Sequence, residues 1–458
     1  MKSLPLARDG DRRSEAGLRV TRRTALHALG AGLAGCVFPA VLRGRVEPEA
    51  VRVGFIGVGG QGRHALEALH AHAFVAFADV DEERAAAAYR AHPNVPRYRD
   101  YRRMLDRHAG QLDAVVISTP DHQHHPMARA ALAAGLHVYL EKPLAPTLQE
   151  CAELRQAAAG SALRTQIGLH GHSFEALRVL REWIDAGAAG PIESVQLWSD
   201  RLPPSQAHWT DRPAPEERVP ATLDWDLWLG TRPKRGYSSL YAPSRWRTWW
   251  AFGGGALADI ATHMFDVIEF ALEPGYPERV VAETPGISPE TAPPWSRVTW
   301  QFPRHGARTG LAVHWTGGLR EGRLLKPAEV SRVPRSVVEE TPNGMAFVGR
   351  DATLFLPDMR ASGRPRIYPL ERETEFVAHR PARTLERLRG THYDDWIRSI
   401  REGRPAGAPL AYGATVTEKV LLGVLAQRSG LAVGWDPVAH RPTGGPVIDR
   451  LWFAPERR

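Results

Sequence analysis

VRVGFIGVGGQGRHALEALHAHAFVAFADVDEERA, residues 51–85, is the stretch whose reading decides the fold. An apolar run, Val51–Ile56, leads into Gly57-x-Gly59-x-x-Gly62. A helical pattern (Arg63, Ala65, Leu66, Leu69) follows, and a second apolar run, Phe74–Ala78, ends in Asp79. Strand, glycine turn, helix, strand and acid make up a dinucleotide-binding unit. Gly57 permits the tight turn, Gly59 lets the backbone approach a pyrophosphate, and Gly62 lets helix and strand pack closely. The amides of Gly60-Gln61-Gly62 stand at a helix N-terminus, where phosphate charge is favoured. Asp79 lies 22 residues beyond the first glycine. It can accept from both ribose hydroxyls and would repel a 2′-phosphate, which favours NAD over NADP. A glycine-rich turn that binds nothing is the bland alternative, and the strand–helix–strand context speaks against it.

Downstream, Leu112–Ser118 is another apolar strand, ending in Thr119-Pro120. A helix over Pro126–Ala134 leads through Gly135 into a strand at His137–Leu140, then Glu141-Lys142-Pro143. Strands alternating with helices predict a parallel, doubly wound sheet. Ligands sit at the C-terminal strand ends of such sheets, and Asp79, Thr119, Glu141 and Lys142 fall there. The chain's 458 residues are enough for two or three domains. We expect a leader over 1–42, an NAD-binding domain over 51–172 and a substrate-binding, oligomerising domain over 173–458. The net charge of +8 arises partly in the first 50 residues and is otherwise spread thinly, so a nucleic-acid partner is not expected.

Residues 21–42, TRRTALHALGAGLAGCVFPAVL, place an Arg-Arg pair before a weakly apolar segment. This looks like a twin-arginine signal and predicts passage through the twin-arginine export machinery to the periplasm or outer surface. Leu33-Ala34-Gly35-Cys36 also resembles a lipobox, which would anchor the protein through Cys36. The alternative is an ordinary buried helix, which glycines at 30, 32 and 35 would weaken. Only Cys151 remains beyond the leader, so no intrachain disulfide is expected there.

Beyond the glycine turn, three segments carry a family resemblance. They are TPDHQHHPMARAALAAGLHVYLEKPLA (119–145), WRTWWAFGGGALADIATHMFD (246–266), and HYDDWIRSIREGR with TEKVLLGVLAQRSGLAVGWD (392–404 and 417–436). The chain resembles the glucose-fructose oxidoreductase/inositol dehydrogenase (Gfo/Idh/MocA) family, in particular its exported branch. The resemblance implies a Rossmann domain followed by a domain on an open, mainly antiparallel sheet. It also implies hydride exchange between a sugar or polyol carbinol carbon and the nicotinamide, and a homo-oligomer. Export would suit a cofactor loaded in the cytoplasm and tightly held.

Oxidising an alcohol needs a base for the hydroxyl proton, best a His or a perturbed Lys. Asp259 and His263 are four apart in a predicted helix over 256–270, hence on one face. A carboxylate placed there can hold an imidazole's tautomer. By resemblance His263 is the general acid/base, Asp259 its partner, and Lys142 the lysine beside the nicotinamide, with His122 and His124 lining the cofactor mouth. Taken alone, the Asp/His pair would be a surface pair and Lys142 a solvated lysine. The histidines of DHQHH (121–125) suggest a metal, but the position after a strand and the lack of a completing cluster predict none. Among the tryptophans, Trp225, Trp228, Trp246, Trp249 and Trp250 could stack on sugar faces or fill a core. Trp246-Arg247 is the expected substrate wall, with His170 and His172 also expected to face the cleft. Some relatives of the family are NAD-dependent glycosidases, so glycoside cleavage is a second expectation, and a non-catalytic sugar-binding protein a third.

Overall fold

In the computed structural model the described residues are 50–201, 209–304, 310–379 and 381–453. The expected leader, with Arg22, Arg23 and Cys36, lies outside them.

The first sheet is parallel, with strands β1 (Arg52–Ile56), β2 (Ala73–Ala78), β3 (Arg97–Tyr98), β4 (Ala114–Ile117), β5 (His137–Leu140) and β6 (Thr165–Ile167). Their order, β3-β2-β1-β4-β5-β6, is the Rossmann order. β4, AVVI, is buried along its whole length, as an unbroken apolar strand covered on both faces should be. Two caps fix where helices start. Asp81 accepts from the amides of Glu83 and Arg84, and Thr147 accepts from that of Glu150.

The second sheet comprises β7 (Ile192–Ser199), β8 (Arg279–Glu283), β9 (Trp295–Phe302), β10 (Leu311–Arg320), β11 (Arg323–Leu324), β12 (Asn343–Gly349), β13 (Thr353–Leu356) and β14 (Arg366–Tyr368). Its main path is β14-β13-β12-β7-β10-β9-β8, with β11 paired to β10. All pairings are antiparallel except β7 with β10, so the expected open, mainly antiparallel sheet is present.

Packing crosses the sequence boundary at residue 172. Helix His392–Glu402, started by a Thr391/Asp394 capping box, returns to the first sheet. It buries Tyr393, Trp396 and Ile397 against Val53, Phe55 and Tyr139. Helix Leu410–Ser429 is buried nearly all round, the signature of a helix enclosed on every side. The Leu144 amide donates to Thr417 Oγ1 at 3.2 Å, and the Trp300 indole to the Lys419 carbonyl at 2.8 Å. This helix therefore ties β5's exit to the second sheet, and both sheets share one core. That rigidity fixes a lysine from one sheet against a helix from the other half.

Candidate active site

The glycine turn closes on itself. Gly57 has φ +83°, and a Cβ there would lie 2.5 Å from the Ser118 carbonyl oxygen. One on Gly62 would lie 2.1 Å from the Gly57 carbonyl oxygen. Any side chain at either position would collide with backbone. At Gly59 the neighbour is Arg84, whose Cβ lies 3.0 Å from an added Cβ. Asp79 reaches back into the turn, where its Oδ2 accepts from the Val58 and Gly59 amides at 3.0 and 3.2 Å. Its Oδ1 accepts from the Asp81 amide at 3.0 Å. A carboxylate has about four acceptor positions, so ribose hydroxyls can still be received. A side-chain-free cradle beside that acid suits a dinucleotide.

A cleft of about 480 Å³ opens from this turn. Gly57, Gly59, Gly60, Gln61, Asp79, Thr119, Glu141, Lys142, His170, Trp246, Arg247, Asp259 and His263 all line it. Gly62 is buried behind the turn. Lys142 and His263, from opposite halves of the fold, thus converge on one space.

Lys142 follows β5 at a cis Lys142–Pro143 bond. Its Nζ donates to the Asp259 carboxylate at 2.5 Å and to the Asp259 carbonyl at 2.9 Å. Arg247 Nε stands 3.2 Å from the same carboxylate oxygen, and its guanidinium lies 4.3 Å above the Trp246 ring. Burial alone would raise the Asp259 carboxyl, but Arg247 and Lys142 outweigh it and hold it well below the usual range. Glu141 behaves alike. Its burial is outweighed by His170, 3.5 Å away, and by Lys142.

Asp259 does not hold the His263 tautomer, and that expectation is corrected. No hydrogen bond joins the two side chains among the described residues. The helix opens with a π-turn at Leu257–Ala261 and becomes α-helical at Thr262–Leu272. A π-turn is wider than the assumed α-turn and displaces the carbonyl ladder, and Asp259 faces Lys142 and Arg247. His263 is 3% exposed. Burial, with Lys142 and Arg360 beside it, pushes it well below its ordinary value, so the imidazole is neutral.

A second correction concerns His122 and His124, which do not line the cofactor mouth. Both are buried, at 0% and 1% exposure. His122 Nε2 pairs with the Trp228 carbonyl at 2.8 Å. The His124 ring pairs with the carbonyls of Pro143 and Thr119 at 2.7 and 2.9 Å. They clamp the loops beneath the cleft, and burial pushes His122 down to about 3. His172 also misses the cleft and pairs with Asp266 at 2.8 Å. Trp249 and Trp250 are buried and Trp225 is half-buried, stacking on Trp228 at 4.8 Å; of the aromatic set only Trp228 and Trp246 reach the cleft.

Three further residues that the sequence motifs do not single out, Asp121, Arg201 and Arg360, line the cleft. Asp121 is 1% exposed, its Oδ2 has no partner, and burial lifts it to about 7 against the pull of Arg247 and Lys142. It stands beside the histidines that drew attention in DHQHH, and a carboxyl directly after a strand-end Thr-Pro was the available signal. Arg201 and Arg360 come from the second sheet, where no motif marks them.

Residues 51–169 match the family described as "Oxidoreductase family, NAD-binding Rossmann fold" (GFO_IDH_MocA). Residues 206–311 match "Oxidoreductase family, C-terminal alpha/beta domain" (GFO_IDH_MocA_C2). A 1,5-anhydro-D-fructose reductase from Ensifer adhaerens is 28% identical over 226 residues, 46% of this chain and 57% of the reductase. An α-N-acetylgalactosaminidase from Shewanella oneidensis is 36% identical over 122 residues, 24% of this chain and 26% of that protein. The chain thus spans just over half the length of the first relative and about a quarter of the second. Among solved structures, the WlbA dehydrogenase from Bordetella pertussis, in complex with NADH and UDP-GlcNAcA, superposes with TM-score 0.59 at 18% identity. That match covers 85% of this chain and 99% of WlbA. A levoglucosan dehydrogenase in complex with NADH and levoglucosan superposes with TM-score 0.55 at 21% identity, over 84% of this chain and 99% of the other. At such identities the likeness is one of fold.

Proposed function

We infer that this chain, which belongs over residues 51–169 and 206–311 to the Gfo/Idh/MocA oxidoreductase family, transfers a hydride between a sugar or polyol carbinol carbon and NAD, with Lys142, Asp259 and His263 as its chemical groups. The observation that carries this reading is the convergence of Lys142 and His263 on the cleft that opens from the glycine turn.

Bound nicotinamide supplies the hydride acceptor. The chain's own residues manage the proton and the charge. An ammonium has three N–H donors, and Asp259 takes two of Lys142's. The third is left for a substrate hydroxyl, stabilising the alkoxide that develops on oxygen. His263, held neutral, accepts the hydroxyl proton as the carbon gives up its hydride and the C–O bond becomes a carbonyl. Asp259 is a positioning residue for Lys142 and offsets the positive charge that His263 then gains. The choice of NAD over NADP is supported by Asp79 at the end of β2. Of the arginines near that end, Arg99 is paired to Glu82 and Arg102 to Asp100, at 2.8 and 2.9 Å, while Arg84 lies against Gly59 and Gly60 without an ion pair among the described residues.

The test is NADH formation with a panel of sugars and polyols. His263→Ala should lower kcat about 10²–10⁴-fold while leaving NADH binding intact. Wild-type rate in that variant would refute the assignment.

A second reading is favoured by the Shewanella glycosidase. The same site would oxidise a glycoside transiently, release the aglycone by elimination, add water to the unsaturated ketone that results and return the hydride. Incubation with aryl glycosides and no added NAD separates the two, since net cleavage without ketone supports the glycosidase. Export through the twin-arginine machinery, with a cofactor carried along and Cys36 lipidated, is also proposed. Mass spectrometry of the natively purified protein tests all three by reporting the N-terminal cut, any lipid and bound nucleotide.

A further inference from the structure

Arg201 and Arg360 differ from Lys142 and Arg247 in one respect, which Arg84 beside Gly59 and Gly60 shares. Lys142 and Arg247 are answered by Asp259, and Glu141 faces His170. Arg201 and Arg360 also line the cleft, and among the described residues neither has a carboxylate within ion-pair distance. Arg201 acts on Arg360 as a like charge, and the carboxylates that oppose it, Glu141, Asp259 and Asp358, stand beyond ion-pair distance. An anionic ligand removes that repulsion.

Arg360 is held in place rather than left to wander. It sits in the turn between β13 and β14, and the Asp358 carboxylate accepts from the amides of Arg360 at 2.7 Å and Ser362 at 3.1 Å. Its neighbours Met359 and Ala361 are buried in the shared core, at 7% and 0% exposure. Its carbonyl abuts Gly171, where an added Cβ would come within 2.5 Å of it. The side chain between these anchors is half-buried, and its Nε is wholly buried with no hydrogen-bond partner. Burial, then Arg201, make its positive charge harder to hold, while Glu141 and Asp259 act in the opposite sense. Arg360 in turn is among the cations that keep His263 neutral. The Arg360 carbonyl abuts Gly171, next to His170, which stands 3.5 Å from Glu141 beside Lys142, so Arg360 lies at the Lys142 end of the cleft.

We propose that Arg360 and Arg201 form the recognition site for an anionic group on the substrate, so that the sugar or polyol this cleft takes is an acidic one, bearing a carboxylate or a phosphate. This rests on the sugar-oxidoreductase reading and narrows it. A guanidinium presents donors in a planar fork that matches both groups.

Calorimetric titration of the NADH-loaded protein with D-glucuronate, D-gluconate, D-glucose 6-phosphate and D-glucose tests the inference. At least one acid should bind at least tenfold tighter than glucose, and the preference for glucuronate and gluconate or for the 6-phosphate tells which anion is meant. Arg360→Gln should abolish the discrimination, Arg360→Lys should keep part of it, and Arg201→Gln, at an exposed position, should reduce it. NADH affinity should be unchanged in all three, which establishes that they fold. Glucose binding as tightly as every acid, or full discrimination surviving in Arg360→Gln, would overturn the inference. A wild-type protein that binds an acid selectively but oxidises no sugar would instead sink the oxidoreductase reading and leave the anion site standing.

Discussion

Replacing Asp259 by Asn keeps the shape of the side chain and removes the charge on which the centre depends. Lys142 and Asp259 have side-chain exposures of only 12% and 18%, and Arg247 shares the same carboxylate oxygen. The substitution therefore strands two cations in a site that water screens poorly. Removing one partner of a buried ion pair costs about 3–5 kcal/mol, because the remaining charge is uncompensated. Urea or thermal unfolding of Asp259→Asn should show a loss of that order. Lys142→Met in the same chain should return part of it, since the stranded ammonium is gone. That recovery gives a double-mutant coupling of opposite sign to the single losses. Activity should behave differently: kcat falls about 10²–10⁴-fold in Asp259→Asn and does not return in the double variant. The pH sign follows from the depressed carboxyl. Its stabilisation is complete above the unfolded value of 3.8 and is lost as pH falls below it. A loss below about 1 kcal/mol, typical of exposed pairs, would refute the view that this cluster is a buried, mutually neutralising set.

Asp121 carries the opposite linkage. Its folded value of about 7 lies above the unfolded 3.8, so wild-type stability is fullest below the unfolded value and declines as pH rises through the folded one. Asp121→Asn should remove up to about 4 kcal/mol of that decline, and unfolding curves at pH 5 and pH 8 that shift equally in both proteins would contradict it. Asp79→Ala should improve NADP use relative to NAD by about tenfold or more in kcat/KM, about 1.4 kcal/mol; an unchanged ratio would mean that the acid serves only the turn. Trp396→Ala should cost about 3–5 kcal/mol, because its indole is fully buried between helix His392–Glu402 and the first sheet. A loss under about 1 kcal/mol there would show that the returning helix is not part of the Rossmann core.

Four of the first sheet's six strands, β1, β2, β4 and β5, were legible because their information is local. A strand ending in a glycine turn, a helix and a second strand ending in an acid lie within 35 consecutive residues. The Rossmann order follows from how such units stack. The return of helix His392–Glu402 to that sheet was not legible. Its apolar stripe of Tyr393, Trp396 and Ile397 marks a buried face, but a stripe does not name its partner across some 340 residues of chain separating it from Val53 and Phe55. For that reason the expected boundary at residue 172 divides the sequence but not the packing.

The site shows the same divide at finer scale. The family resemblance was sufficient to bring Lys142, Asp259 and His263 together, but not to say which of them touch. The pairing of Asp259 with His263 came from counting four residues along an assumed α-helix, and the π-turn at Leu257–Ala261 voids that count. The physical consequence reaches past one contact. With Asp259 committed to Lys142 and Arg247, His263 faces cations without a carboxylate to fix it and stays neutral, which is the state a base must start from. Had the expected pair formed, the carboxylate would have favoured a charged imidazole and left Lys142 stranded. The wider turn thus separates two duties that a regular helix would have given to one pair. Asp259 answers the cations, and His263 remains free to take a proton.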